Sequence, residues 1–235
     1  MKFPIFTSII LLVILLNFRL RRQKKKELKS DEDYWKKERE AFTTPRKDIS
    51  NLPYIKIPED LPLDFPCEDD LVTECRNTIK NLSKDKIINL NGMSNTDIRL
   101  TYGTLNYEPL AMADTRYLTL IRYLSQLGQK YCELGFTKEA EEILKYSLDI
   151  GSDVKSSFLT LANIYYDSGR EELMATLQEK AAAITTLSRD SVVNALSEFE
   201  IDRMLSESEA ITDNTSDKQS DTEDASAGSP SQDQQ

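Results

Sequence analysis

The sequence predicts a mainly α-helical protein with one membrane-spanning helix at its N-terminus and a disordered acidic tail. Three observations support this prediction. Residues 3–18 form an apolar run without a charged side chain. In the second half of the chain, a helical-hairpin pattern occurs twice, at an interval of 34 residues. Residues 206–235 carry eight acidic side chains, one lysine and few apolar residues, a composition that cannot form a packed core.

The N-terminal run predicts a transmembrane anchor over residues 1–22. A spanning helix needs about 20 apolar residues, with a lower limit near 17, and Leu20 extends the run towards that length. A cleaved signal peptide would need a basic segment before the run and a small-x-small cleavage site after it. Only Met1 and Lys2 precede the run and no such site follows it, so an uncleaved anchor is the better interpretation.

Basic residues directly after the run predict the orientation of the chain. Residues 19–29 contain seven basic side chains and one acidic side chain. Cytoplasmic flanks of membrane helices collect Lys and Arg, which predicts a cytoplasmic domain and an outside N-terminus. The opposite orientation stays open, because short N-terminal anchors also insert with the amine inside. We expect contact with the bilayer through residues 3–20 and with anionic lipid headgroups through the basic cluster. Nucleic acid is not expected as a partner, since the folded middle is not basic.

A juxtamembrane segment with a short helix is predicted over residues 23–44. The helix begins near Ser30, carries acids at its positive end and stops before Pro45. Trp35 and Phe42 fall seven residues apart, on one face. Trp35 fits either the membrane interface or the folded domain, and we favour docking on the domain because several residues separate it from the membrane.

Residues 45–66 predict an extended strap. Their five prolines prevent a helix, but the segment is too apolar for a free linker, so we expect it to pack on the folded domain. Residues 67–120 predict the helical N-terminal part of that domain. A helix over 68–82 places apolar residues at helical spacing. A second, shorter helix follows a capping box at Ser94 and Asp97 and ends at Gly103.

Two hairpins and a capping helix are predicted over residues 121–205, and the first helix extends upstream of this range. We expect the first helix to begin at Asp114 and end at Gly135, and the second, capped by Thr137, to end at Gly151. Third and fourth helices are expected over 153–169 and 171–187, followed by a capping helix that carries Val192, Leu196 and Phe199. One amphipathic hairpin cannot bury its own apolar face, so the hairpins should stack.

Six pairs of residues recur at the offset of 34: Leu127 and Leu161, Gly128 and Ala162, Tyr131 and Tyr165, Gly135 and Gly169, Ala140 and Met174, and Ser147 and Ala181. With these residues, segment 121–187 resembles two tetratricopeptide repeats (TPR), which implies a small α-solenoid. The second repeat departs from the pattern at Met174 and Gln178, and neither repeat ends in the usual proline. With Trp35-Lys36-Lys37-Glu38-Arg39 after the basic cluster, the chain also resembles single-span bacterial proteins with no assigned activity.

The resemblance implies a peptide-binding groove on the first helix of each hairpin. Its expected protein-binding residues are Arg122, Gln129, Leu159, Asn163 and Tyr166, with Ser125 beside them. Ser125 stands where a lysine would complete a clamp for a C-terminal carboxylate, so no clamp is expected. Simple surface exposure is the competing interpretation for each of these residues.

No catalytic, cofactor-binding or metal-binding residues are predicted. The chain contains no histidine, which is the commonest general base and metal ligand, and it has no phosphate-binding or dinucleotide-binding glycine motif. We therefore expect a protein that is not an enzyme and needs no cofactor. The favoured function is a membrane-anchored adaptor that docks an unknown protein partner in the groove. The alternative is a structural subunit that is permanently packed in a membrane or envelope assembly.

Overall fold

The computed structural model describes residues 12, 19 and 31–223 of the 235-residue chain, with side chains to residue 206. This part of the chain contains eight α-helices and one 3-10 turn at Thr104–Asn106, and it has no β-strand beyond a single bridge between Ile55 and Ile87. The prediction of a mainly α-helical fold is therefore confirmed. The helices are α1 (31–43), α2 (Asp70–Leu82), α3 (Asn95–Tyr102), α4 (Tyr107–Glu133), α5 (Thr137–Asp149), α6 (Lys155–Asp167), α7 (Glu172–Ala182) and α8 (Arg189–Glu223).

The predicted transmembrane anchor lies outside the described residues, apart from Leu12 and Arg19. Among the helices that the structure does describe, none is both long enough and apolar enough to cross a bilayer. The anchor is therefore a prediction from the sequence alone.

The chain divides into two compact units. The first contains the residues up to Ile55 together with Lys86–Tyr117, and the second contains Lys56–Asp85 together with the residues from Leu118 onward. The division falls within α4, between Tyr117 and Leu118. Each unit therefore combines sequence segments that are far apart in the chain.

An apolar cluster forms the core of the first unit. Its buried members are Ile88, Leu90, Ile98, Leu110 and Ala113. Buried Asn106 fixes residues of the extended segment, because its Nδ2 donates to the Lys47 carbonyl at 2.6 Å and its Oδ1 accepts from Arg46 Nε at 3.2 Å. Trp35 is 57% exposed, so the expected docking of this side chain on the folded domain is wrong.

Repeated turns organise the helices of the second unit. The amide of Phe136, after Gly135, donates to the Tyr131 carbonyl at 2.8 Å, and the amide of Arg170, after Gly169, donates to the Tyr165 carbonyl at 2.8 Å. Both glycines have positive φ angles, 84° and 66°, as a Schellman helix end requires. The offset of 34 residues thus recurs in the backbone hydrogen bonds of the two turns.

Close packing joins α4 to α5 at Gly128. A Cβ atom on this residue would lie 2.5 Å from Leu144 Cδ2, so only glycine fits without movement of the neighbouring side chain. At the other end of the unit, α8 packs on α6 and α7 and buries Val192 and Leu196.

Several predicted helix ends need correction. α4 begins at Tyr107, so Asp114 does not start a helix. Its Oδ1 instead accepts from the Leu90 amide at 2.9 Å, and the apolar pattern continues upstream of it to buried Leu110. Thr137 is the first residue of α5 and makes no side-chain cap. The capping box of Ser94 and Asp97 is confirmed.

The fourth helix of the predicted hairpins (α7) and the predicted capping helix (α8) also differ in length from the prediction. α7 ends at Ala182, before 183–187. α8 continues to Glu223, although the composition of residues 206–235 predicts disorder. This extension carries few apolar residues in its sequence, and an isolated helix without a packed face is marginally stable in water.

Candidate protein-binding groove

The expected binding residues lie along two helices of the second unit. α4 carries Arg122, Ser125 and Gln129, and α6 carries Leu159, Asn163 and Tyr166. Within each helix the residues are three or four positions apart, which places them on one side of that helix. We call this set of six residues the groove face.

A hydrogen-bonded cluster links the two helices in the middle of the groove face. Ser125 is buried, and its hydroxyl lies 2.9 Å from the hydroxyl of Ser156 on α6. Gln129 Nε2 donates to Ser125 Oγ at 2.9 Å and to Ser156 Oγ at 3.0 Å. These polar groups therefore serve to align α4 with α6. Gln129 Nε2 also donates to the Ser125 carbonyl at 3.1 Å, so its amide nitrogen is fully used within this cluster.

α8 contacts the C-terminal part of the groove face. Arg203 Nη2 donates to Asn163 Oδ1 at 2.7 Å and to Asp167 Oδ1 at 3.2 Å. The same guanidinium lies 4.8 Å from the ring centroid of Tyr166, and Phe199 packs edge-to-face on that ring at 6.3 Å. Both Asn163 and Tyr166, which were expected to contact a ligand, are thus in contact with α8.

The N-terminal part of the groove face is more open. Arg122 is exposed and stacks on the ring of Tyr123, 5.2 Å from its centroid, and it makes no ion pair within the described residues. Leu118, one turn earlier on α4, is 48% exposed. Leu159 is half-buried and follows the linking Ser156 by one turn of α6. An exposed cation thus follows an exposed apolar side chain by one turn on the same side of α4.

An ion cluster joins α5 to the turn before α7. Arg170 donates to both carboxylate oxygens of Glu141, at 2.9 Å and 2.7 Å, and Lys145 binds the same carboxylate. The hydrogen bonds from Arg170 hold the pKa of Glu141 below its ordinary value of 4.5, although burial acts in the opposite direction. This bidentate pair is a structural link between the hairpins.

Sequence reasoning missed the residues that complete these contacts. Arg203 lies forty positions from Asn163, and helical periodicity gives no signal for such a pair. It also missed a pocket of roughly 210 Å³ that lies among α5, α6 and α7. The lining includes Leu148, Leu161 and Leu177, with Lys145 and Lys180 at its rim. Apolar spacing on these helices predicts core residues, and no pattern in the sequence marks a gap between packed helices.

No cluster of three or more Cys, Asp or Glu side chains in the described residues is arranged to hold a metal ion. Comparison with protein-family models, with curated proteins and with solved structures gives no match to this chain.

Proposed function

We propose that this chain is a membrane-anchored adaptor with TPR-like helical hairpins, which docks another protein on the open part of its groove face. The observation that carries the proposal is exposed Arg122, which makes no ion pair within the described residues and follows exposed Leu118 by one turn of α4. A cation one turn from an apolar side chain suits a peptide or helix that presents a carboxylate next to an apolar residue.

The Ser125–Gln129–Ser156 cluster supports a preformed binding surface. It holds α4 and α6 together through hydrogen bonds of 2.9 and 3.0 Å, so little of the surface has to be ordered on binding. α8 closes the far end of the face through Arg203 and limits the ligand to the part near Arg122.

Membrane attachment through residues 3–20, with the basic cluster of 19–29 at anionic headgroups, would raise the local concentration of the adaptor for membrane-bound partners. In the favoured orientation the groove face is cytoplasmic. This part of the proposal rests on the sequence.

Site-specific photo-crosslinking tests the docking site. A photoreactive residue at Leu159, in the full chain in its own cells, is expected to form one dominant protein adduct. The same residue at Glu179, which is exposed on α7, serves as the control and should not form that adduct. Arg122→Glu is expected to remove the Leu159 adduct by charge reversal. Equal labelling at both positions, or an adduct that survives Arg122→Glu, would contradict docking at the groove face.

A structural subunit is the second candidate, and one surface favours it. Ile201, Met204 and Leu205 on α8 are each more than half exposed, which is unusual for three neighbouring apolar side chains. A permanent partner would cover them. Recovery of the chain as a free 26.9 kDa protein after mild detergent extraction would contradict this alternative.

A further inference from the structure

The first two turns of α1 protrude from the first unit. All side chains of residues 31–37 are exposed, whereas Ala41 in the second half of the helix is fully buried. Glu38 attaches the helix to α3, because its carboxylate accepts from Arg99 at 3.0 Å and from Thr96 at 2.6 Å. In the described residues α1 is therefore held through its second half, and its N-terminal half forms an overhang.

Two aromatic side chains lie on this overhang. Tyr34 is 56% exposed and Trp35 is 57% exposed, and their rings meet edge-to-face with centroids 5.5 Å apart. An exposed pair of large apolar rings is unfavourable in water. Both side chains also carry a polar tip, and this combination is the one that concentrates at the boundary between lipid and water.

The length of the preceding chain keeps the overhang close to the predicted anchor. Trp35 follows Leu20 by fifteen positions, and the intervening backbone limits how far apart they can be. This backbone covers about 22 Å as a helix and at most about 50 Å when fully extended. Six of the seven basic residues of 19–29 lie in this interval and favour contact with headgroups. A bilayer spanned by residues 3–20 is thus the large apolar–polar boundary within reach.

We propose that Tyr34 and Trp35 insert their rings into the lipid–water interface and thereby hold α1 against the membrane. The inference rests on the anchor in the proposed function. Asp31, Glu32 and Asp33 precede the pair and resist deeper burial, because a carboxylate is costly to remove from water. The contact is therefore at headgroup depth, and it forms on neutral as well as anionic lipid.

The fluorescence of Trp35 tests this contact directly, because it is the only tryptophan in the chain. The full chain is reconstituted into phosphatidylcholine vesicles that contain lipids brominated either near the headgroup or near the chain ends. Flotation of the vesicles reports whether the chain is anchored, and bromine quenching reports the depth of Trp35. We expect the chain to float, and its emission to be lost mainly with bromine near the headgroup.

A matched control moves the tryptophan to the 3-10 turn that is hydrogen-bonded to the second half of α1. Leu105 is 74% exposed and follows Thr104, whose hydroxyl donates to the Ala41 carbonyl at 2.6 Å. The double variant Trp35→Phe with Leu105→Trp should float equally well and show little quenching. Floating wild-type chain without quenching would overturn the inference alone and indicate a protein partner or solvent at the overhang. A chain that does not float would overturn the anchor and this inference with it.

Discussion

Tyr131 is buried and fixes two segments of the second unit at once. Its hydroxyl donates to the Pro62 carbonyl at 2.9 Å and accepts from Arg76 Nη2 at 2.7 Å, while its ring packs against Phe65 with centroids 6.1 Å apart. One side chain of α4 therefore holds both the extended segment and α2. Its repeat counterpart Tyr165 instead lies beside Arg170, so the two positions share a place in the pattern but differ in role.

Replacing Tyr131 by Phe should lower the free energy of unfolding by about 1–3 kcal/mol, because the part-buried Pro62 carbonyl and Arg76 each lose a partner. Urea unfolding of the chain in detergent micelles measures this change. Tyr123→Phe is the control, since its hydroxyl makes a surface hydrogen bond to Glu74 at 3.2 Å and should change stability by less than about 0.5 kcal/mol. Equal effects of the two substitutions would contradict the role given to Tyr131.

Glu141→Gln should destabilise the second unit at neutral pH, by roughly 1–3 kcal/mol, because the bidentate bond to Arg170 loses its charge. Arg170 and Lys145 hold the Glu141 pKa below 4.5 in the folded chain. A carboxylate whose pKa is lowered by folding contributes its full stabilisation at pH values above its pKa in the unfolded chain. This stabilisation is lost as the pH falls through its pKa in the folded chain. The difference between wild type and variant should thus be constant near pH 7 and shrink below pH 4.5. Unfolding midpoints of wild type and variant, measured across this pH range, check this prediction. A stability difference that stays constant below pH 4.5 would contradict it.

At the scale of elements, the first part of α8 contributes to the packing of the second unit. Val192 and Leu196 are buried at 0% and 1% exposure, and Arg203 binds Asn163 and Asp167 on α6. The sequence after Ser206 has few apolar residues to pack. The part of α8 up to about Ser206 should therefore contribute to the free energy of unfolding, and the part after Ser206 should contribute little.

Two truncations separate these parts of α8. A chain that ends after Ser206 should keep its stability within about 0.5 kcal/mol. A chain that ends after Ser188 should lose roughly 3 kcal/mol or more, because two apolar side chains and their contacts are removed. Hydrogen exchange of the α6 amides gives the readout. Faster exchange in the Ser206 truncation would show that the later part of α8 is packed in solution.

Local signals in the sequence predicted part of this organisation. Gly135 and Gly169 mark helix ends because the left-handed conformation there favours glycine, and the recurring interval made both visible. The predicted helix start at Asp114 is wrong. An acidic residue before an apolar stretch is typical of a helix start, but here it lies inside α4. Its actual partner, the Leu90 amide, lies 24 residues away. Contacts such as Arg203 with Asn163 depend on how helices pack, and no local pattern encodes them.

At the scale of the whole molecule, the proposed adaptor needs a membrane helix before residue 22 and a groove face that meets partners in the cytoplasm. Both features are predictions from residues 3–18 and the basic cluster of 19–29. The described helices carry the groove face but do not report the side of the membrane. Topology therefore decides which proteins can reach Arg122 and Leu159.

Protease protection of the full chain is the most direct measurement. An epitope tag is placed after Gln235, and a broad-specificity protease is added first to intact cells and then to opened cells. We expect the chain to sediment with membranes and the tag to be lost only after the cells are opened. Loss of the tag in intact cells would contradict the cytoplasmic groove face, and a chain that stays in the soluble fraction would contradict the anchored adaptor as a whole.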